Sequence, residues 1–316
     1  MMPSYKYDFV SKKKICFIIS ACIIIVGLLF NVIFGTQLNI SFRGGSLITY
    51  SYSGDLDVAN VEKILNEDPT VTKNVSVSAT KTSDSSTNNM TVTIADKSEL
   101  TLELQDAISK VLSGNEALKD NKITFVQSNS VDPTIGGEFF GKCIVAIVLA
   151  AIFMIVYIGL RFRKIGGWSA GVAAVISLIH DVLIVYFTFI ICRFEINDNF
   201  FAVVLTILGY SINAVIINYS RIRENRRIYG PKAELRDVVN LSLNQSLRKI
   251  INTTITTALT IGAVAVAAVI FNLSSLVSFA VPLLIGIISG CYSCLFISCG
   301  LWVTWKEHSA KNKAEK

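Results

Sequence analysis

Asp181 and His180 stand side by side near the middle of an apolar run that spans residues 168–192. A charge at mid-bilayer costs at least about 2.5–3.5 kcal/mol, so Asp181 needs a reason to be there. Two readings stand: part of an ion or proton path, or a buried carboxylate satisfied by hydroxyls or by an arginine of another helix. Adjacent residues on a helix point apart, so His180 is not expected to be the main partner of Asp181. One imidazole makes no metal site, and His180 reads as a packing residue. Arg248 lies near the start of a later apolar run, 250–271. It is a functional candidate as an ionisable group near a lipid-length run, or a long side chain that snorkels to water. Tyr210, Ser211, Asn213 and Asn218 share one apolar run, and Asn252, Thr253, Thr254, Thr256, Thr257 and Thr260 share another. Interhelical hydrogen bonds are their expected role. Cys291 and Cys294 have CxxC spacing without a nearby histidine, so small-residue packing is expected there and no metal.

The elements that must position these groups are membrane helices. The chain has 316 residues, 52% hydrophobic and 16% charged. Apolar runs of bilayer-crossing length, about 20 residues, fall at 15–34, 143–160, 168–192, 200–219, 250–271 and 276–305. The first is longer than a signal-peptide core and lacks a small-residue cleavage pattern, so it is read as a retained helix. Lysine and arginine gather before the first run and after the second, fourth and sixth. By the positive-inside rule both termini are then cytoplasmic. Basic loops beside lipid-length runs are accounted for by topology and by anionic lipid headgroups, and nucleic acid is not an expected partner.

Residues 36–140 then lie outside. They carry 8 Lys+Arg against 14 Asp+Glu, whereas the rest of the chain carries 21 against 9. Alternation predicts strands at 46–53, 74–81, 90–95 and 122–127, with amphipathic helices at 57–67 and 98–112. The order β-α-β-β-α-β predicts a ferredoxin-like α+β domain, its hairpin turned in the polar stretch 82–89. This domain contains no histidine, no cysteine and no glycine-rich phosphate loop. No motif sets a nucleophile beside a base, so neither enzyme activity nor a cofactor is expected. The domain plan is a cytoplasmic N-terminus (1–14), a first transmembrane helix (15–35), the outer domain (36–140) and five more helices (141–305). A cytoplasmic loop at 220–249 and a cytoplasmic tail at 306–316 complete it. Within that loop, residues 231–245 place Leu235, Val238, Val239 and Leu243 on one face and read as an interfacial helix.

Several separated segments resemble the SecF family of the bacterial export accessory complex. They are FRGGS at 42–46, VDPTIGGE at 131–138, YIGLRF at 157–162, HD at 180–181, GYSINAVIINYSRIREN at 209–225 and NLSLNQSLRKIINTTITT at 240–257. The resemblance implies half of a resistance-nodulation-division transporter in the cytoplasmic membrane, completed by a SecD-like chain. It also implies work beside the SecYEG channel on a translocating polypeptide, driven by an ion gradient. Arg248 then matches the family's coupling arginine, and Tyr210, Ser211 and Asn213 match its GYSxN segment. The family's following aspartate, linked to proton passage, is replaced here by Ala214, and a later one by Ser220. A carboxylate supplied by the partner chain is the first expectation, with a larger share for Asp181 or a loss of energisation as the others. The resemblance also raises SecY or ribosome contact for 231–245. A small-molecule or lipid half-transporter on the same fold is the competing function.

Overall fold

A computed structural model describes residues 4–69, 71, 75–80, 88–94, 102–131, 133–230, 232–271 and 273–314. Helix α1 (Lys13–Phe34) leads through the one-turn α2 (Ile40–Arg43) into β1 (Gly45–Tyr52), α3 (Val58–Glu67), β2 (Val75–Thr80) and β3 (Asn88–Ile94). Helix α4 (Leu102–Gly114) and β4 (Thr124–Val131) complete this unit. Then come α5 (Pro133–Arg161), α6 (Gly167–Ile191), α7 (Asp198–Tyr229), α8 (Leu235–Ile270) and α9 (Ser274–Tyr292). A π-helical segment, Ser293–Ser298, joins α9 to α10 (Cys299–Ala314).

Six helical stretches are long and apolar enough to cross a membrane: α1, α5 from Ile135, α6, α7, α8, and Ser274–Asn312. Burial grades them. In their most apolar windows α6 is 61% buried, while α1 and α5 are each 11% buried. Helix α6 therefore runs through the middle of the bundle, and α1 and α5 turn aliphatic side chains outward, as lipid-facing helices do.

The four strands form one antiparallel sheet in the order β2-β3-β1-β4. Alternation of small polar and apolar residues directs Ile48, Tyr50, Tyr52, Val75, Val77, Met90, Val92 and Ile94 to one face, where Val61 and Leu65 of α3 and Ile108 and Leu112 of α4 cover them. The expected turn at 82–89 lies outside the described residues at 82–87, and so do residues 98–101 of the expected second helix.

The FRGGS segment acts at the seam between sheet and bundle. Gly44 and Gly45 hold φ of +77° and +130°, and a Cβ on Gly45 would run into the carbonyl oxygen of Ile94. Only glycine takes such a backbone without strain. Phe42 packs its ring on Phe139, Phe140 and Phe201 at centroid distances of 5.6, 5.6 and 5.3 Å. At Gly136 of the TIGGE segment α5 comes so near that a Cβ would stand 3.1 Å from the Phe42 carbonyl carbon. Two sequence segments far apart in the chain thus form one joint. Gly45→Ala is expected to destabilise the domain by about 1–3 kcal/mol, read as a lower midpoint in thermal unfolding.

The region 220–249 departs from expectation. It is not an extended loop: α7 continues to Tyr229 and α8 starts at Leu235. Nor is 231–245 an interfacial helix. Residues 235–245 are the first turns of α8, and Val238, Val239 and Leu243 are buried against the bundle rather than turned to a lipid surface. The amphipathic pattern was real, but a protein core satisfies its apolar face.

Candidate functional site

Asp181 is fully buried at the middle of α6. Its two oxygens each accept a hydroxyl: Ser289 Oγ donates to Oδ1 at 2.6 Å and Ser293 Oγ to Oδ2 at 2.7 Å. The two serines are four residues apart, Ser289 on α9 and Ser293 at the start of the π-helical segment that continues it, and so stack on one side. Small residues beside them make room. A Cβ on Gly290 would strike Ser211 Oγ of α7, and one on Gly286 would strike Ile207 of α7 and Val185 of α6. Three helices therefore close on one carboxylate.

His180 Nδ1 lies 3.3 Å from Asp181 Oδ1, longer than either serine contact. The neighbouring histidine is thus not the main partner of Asp181, and of the alternatives left open for this carboxylate the structure shows hydroxyls. His180 is 6% exposed, and its Nε2, like Ser211 Oγ, has no hydrogen-bond partner among the described residues.

The π-helical segment begins at Ser293, one of the Asp181 ligands. Its wider turn frees carbonyls from the ordinary helical ladder, and α7 recaptures them. Asn218 Nδ2 donates to the Cys294 carbonyl at 3.1 Å, and Tyr219 Oη donates to the Ser298 carbonyl at 3.4 Å. Ser246 Oγ of α8 donates to Asn218 Oδ1 at 2.6 Å. Cys294, the second cysteine of the CxxC pair, is buried, and its thiol contacts the Cys291 carbonyl at 3.2 Å. Sequence reasoning missed this segment, because π-turns leave no signature in hydropathy.

Arg248 stands apart from this cluster. It is exposed on α8, and among the described residues no ion pair joins it to Asp181 or to another acid. Asn252, Thr256 and Thr260 follow at four-residue intervals and are exposed too. They form one polar stripe along α8. The threonines do not bridge helices as expected: Thr253, Thr256, Thr257 and Thr260 donate to carbonyls of their own helix. Thr254 is the exception, accepting from Tyr210 Oη of α7 at 3.3 Å. Asn213 is exposed on α7, and Ala214 is half-buried against the core.

The segment preceding Arg248 has a separate task. Asn240 Oδ1 accepts the backbone amides of Phe9 and Val10, both at 3.0 Å, and its Nδ2 donates to Asp8 at 2.9 Å. Asn244 exchanges two bonds with the Tyr7 backbone. The N-terminal strap is thereby fastened to α8. Burial pushes the Asp8 carboxyl up, but Ser11, Asn240 and the Val10 amide outweigh it, and the net shift is downward from 3.8. Stability from this carboxylate is therefore complete above that value and is lost only as pH falls through the lowered one. Asn240→Ala strands two buried amides and is expected to cost about 1–3 kcal/mol, read as a lower melting temperature in detergent.

A family model described as protein export membrane protein SecD/SecF, C-terminal, matches residues 110–308. The chain belongs to the SecD/SecF family. It is 33% identical over 314 residues to the protein translocase subunit SecDF of Bacillus subtilis, covering 98% of this chain and 39% of that protein. It is 30% identical over 308 residues to the SecF subunit of Alicyclobacillus acidocaldarius, covering 97% of this chain and 95% of that one. A crystal structure of SecDF from Thermus superposes with a TM-score of 0.78 at 24% identity, over 96% of this chain and 40% of the other. The super-membrane-facing form of SecDF gives 0.67. The chain thus spans less than half of the SecDF relatives and nearly all of the SecF relative. With its six apolar helices, this SecD/SecF member is a bacterial membrane protein of a transport family, and its relatives favour protein export over small-molecule efflux.

Proposed function

We propose that the chain is the SecF-type half of a Sec export accessory machine, completed by a SecD-like chain and acting beside SecYEG on translocating polypeptide in the cytoplasmic membrane. The observation that carries the reading is the exposed stripe headed by Arg248. An arginine and an asparagine turned outward at membrane depth are costly unless another protein surface covers them. A segment like this chain forms about two fifths of the SecDF relatives, which supports a SecD-like cover.

Ala214 brings no carboxylate to this face, and Asp181 is engaged by two hydroxyls inside the bundle. The counter-charge of Arg248 is therefore a carboxylate of the partner. Protonation of that acid neutralises one member of an ion pair in low dielectric, weakens its hold on Arg248 and alters the packing between the halves. Tyr210 and Asn213 border the same face on α7. Asp181 holds α6 to α9 and is a structural anchor rather than the coupling acid. No step of this work is catalytic.

Basic clusters at the two termini and beyond α5 and α7 support cytoplasmic ends, which leaves the sheet domain outside. Its strand order with four antiparallel strands and two covering helices supports a ferredoxin-like assignment. An acidic domain on that side is placed to contact emerging polypeptide. Co-expression with the SecD-like chain and affinity purification tests the reading: the two should elute together and recover SecYEG from membranes, and elution of this chain alone would refute it.

A further inference from the structure

The ends of α5 and α7 enclose a cavity of about 600 Å³ whose charge is unbalanced. Arg161, Lys164, Arg223, Arg226 and Arg227 line it against the single carboxylate of Glu224. That carboxylate is already engaged, since Arg221 donates to it at 2.7 Å. Two of the arginines donate to backbone carbonyls. Arg223 donates to the Arg161 carbonyl at 3.2 Å, and Arg226 to the Ala233 carbonyl at 2.6 Å. The guanidiniums of Arg161 and Arg223 both lie over the buried Phe162 ring, 5.9 and 5.4 Å from its centroid. Lys164 and Arg227 are exposed, with no ion pair among the described residues.

Like charges held together in this way favour an anion with several oxygens, and the planar fork of arginine matches phosphate. The neighbouring surface tells which phosphate. Arg161 is the last residue of α5, and the turns before it expose Phe153, Val156, Tyr157 and Leu160. A phosphate held at Arg161 would have room for apolar chains alongside it on the same helix. We infer that this cavity binds the headgroup of an anionic phospholipid whose acyl chains lie along α5. Basic pockets at the ends of membrane helices serve lipids in this way. The inference rests on the membrane placement of the chain and not on its export role.

The test is native mass spectrometry of the full chain in detergent, titrated with phosphatidylglycerol. Lys164→Gln with Arg227→Gln is expected to weaken binding about 30-fold. Lys14→Gln with Lys311→Gln removes equal charge elsewhere and should bind as the native chain does. The charge-keeping pair Lys164→Arg with Arg227→Lys should retain the lipid, which separates lost charge from lost fold. Equal binding by the two glutamine pairs would overturn the inference, because attraction would then be non-specific. Displacement of the lipid by inorganic phosphate at matching concentration would also overturn it, by showing a free-phosphate site.

Discussion

Arg248→Ala is expected to abolish ion-gradient-dependent export by the reconstituted complex while leaving the isolated chain folded. The side chain is exposed and makes no ion pair within the described residues, so its removal takes nothing from this chain's own core. The loss falls on the partner. Deleting one member of a buried ion pair costs about 3–5 kcal/mol, because the remaining charge is left uncompensated. Export measured in proteoliposomes with and without an imposed gradient should fall to its gradient-independent level. Arg248→Lys should recover part of it, since charge returns without the bidentate fork. Unchanged gradient dependence in Arg248→Ala would remove the arginine from the coupling account.

Asp181 is expected to behave in the opposite way. Asp181→Ala strands the hydroxyls of Ser289 and Ser293 and empties space between three packed helices. Two buried hydrogen bonds are lost, and each hydroxyl left unpaired costs about 1–3 kcal/mol. The variant should melt well below the native chain or fail to accumulate. Asp181→Asn keeps the volume and one acceptor, and the serine hydroxyls can turn to meet the amide. It should therefore be milder in thermal unfolding and should keep its gradient dependence. Loss of gradient dependence in a folded Asp181→Asn protein would make Asp181 a coupling acid rather than an anchor.

The contrast between these two residues shows what one sequence carries. The six spans were legible because a bilayer imposes a length, and the strands because a pleated sheet imposes alternation. The helical ends at 220–229 and 235–249 were not. Hydropathy falls once a helix leaves lipid, although its backbone ladder continues. The polar residues of α8 were legible one by one, but the alignment of Arg248, Asn252, Thr256 and Thr260 into one outward stripe emerged only from the exposure of each on the folded helix. The partners of Asp181 lie 108 and 112 residues away, and only tertiary packing chooses Ser289 and Ser293 among the many hydroxyls available. The roles of Asn240 and Asn244 were hidden similarly, because the backbone amides they bind are more than 200 residues earlier.

On the proposed reading, the coupling face of this chain is completed by its partner. A photo-crosslinking amino acid at position 252, one turn beyond Arg248 on the stripe, tests it directly in cells that co-express the SecD-like chain. A second probe at position 153, on the apolar outer face of α5, serves as reference. A crosslink to the SecD-like chain is expected from position 252 and only lipid adducts from position 153. Capture of lipid alone at position 252, with the SecD-like chain captured at position 153, would contradict it.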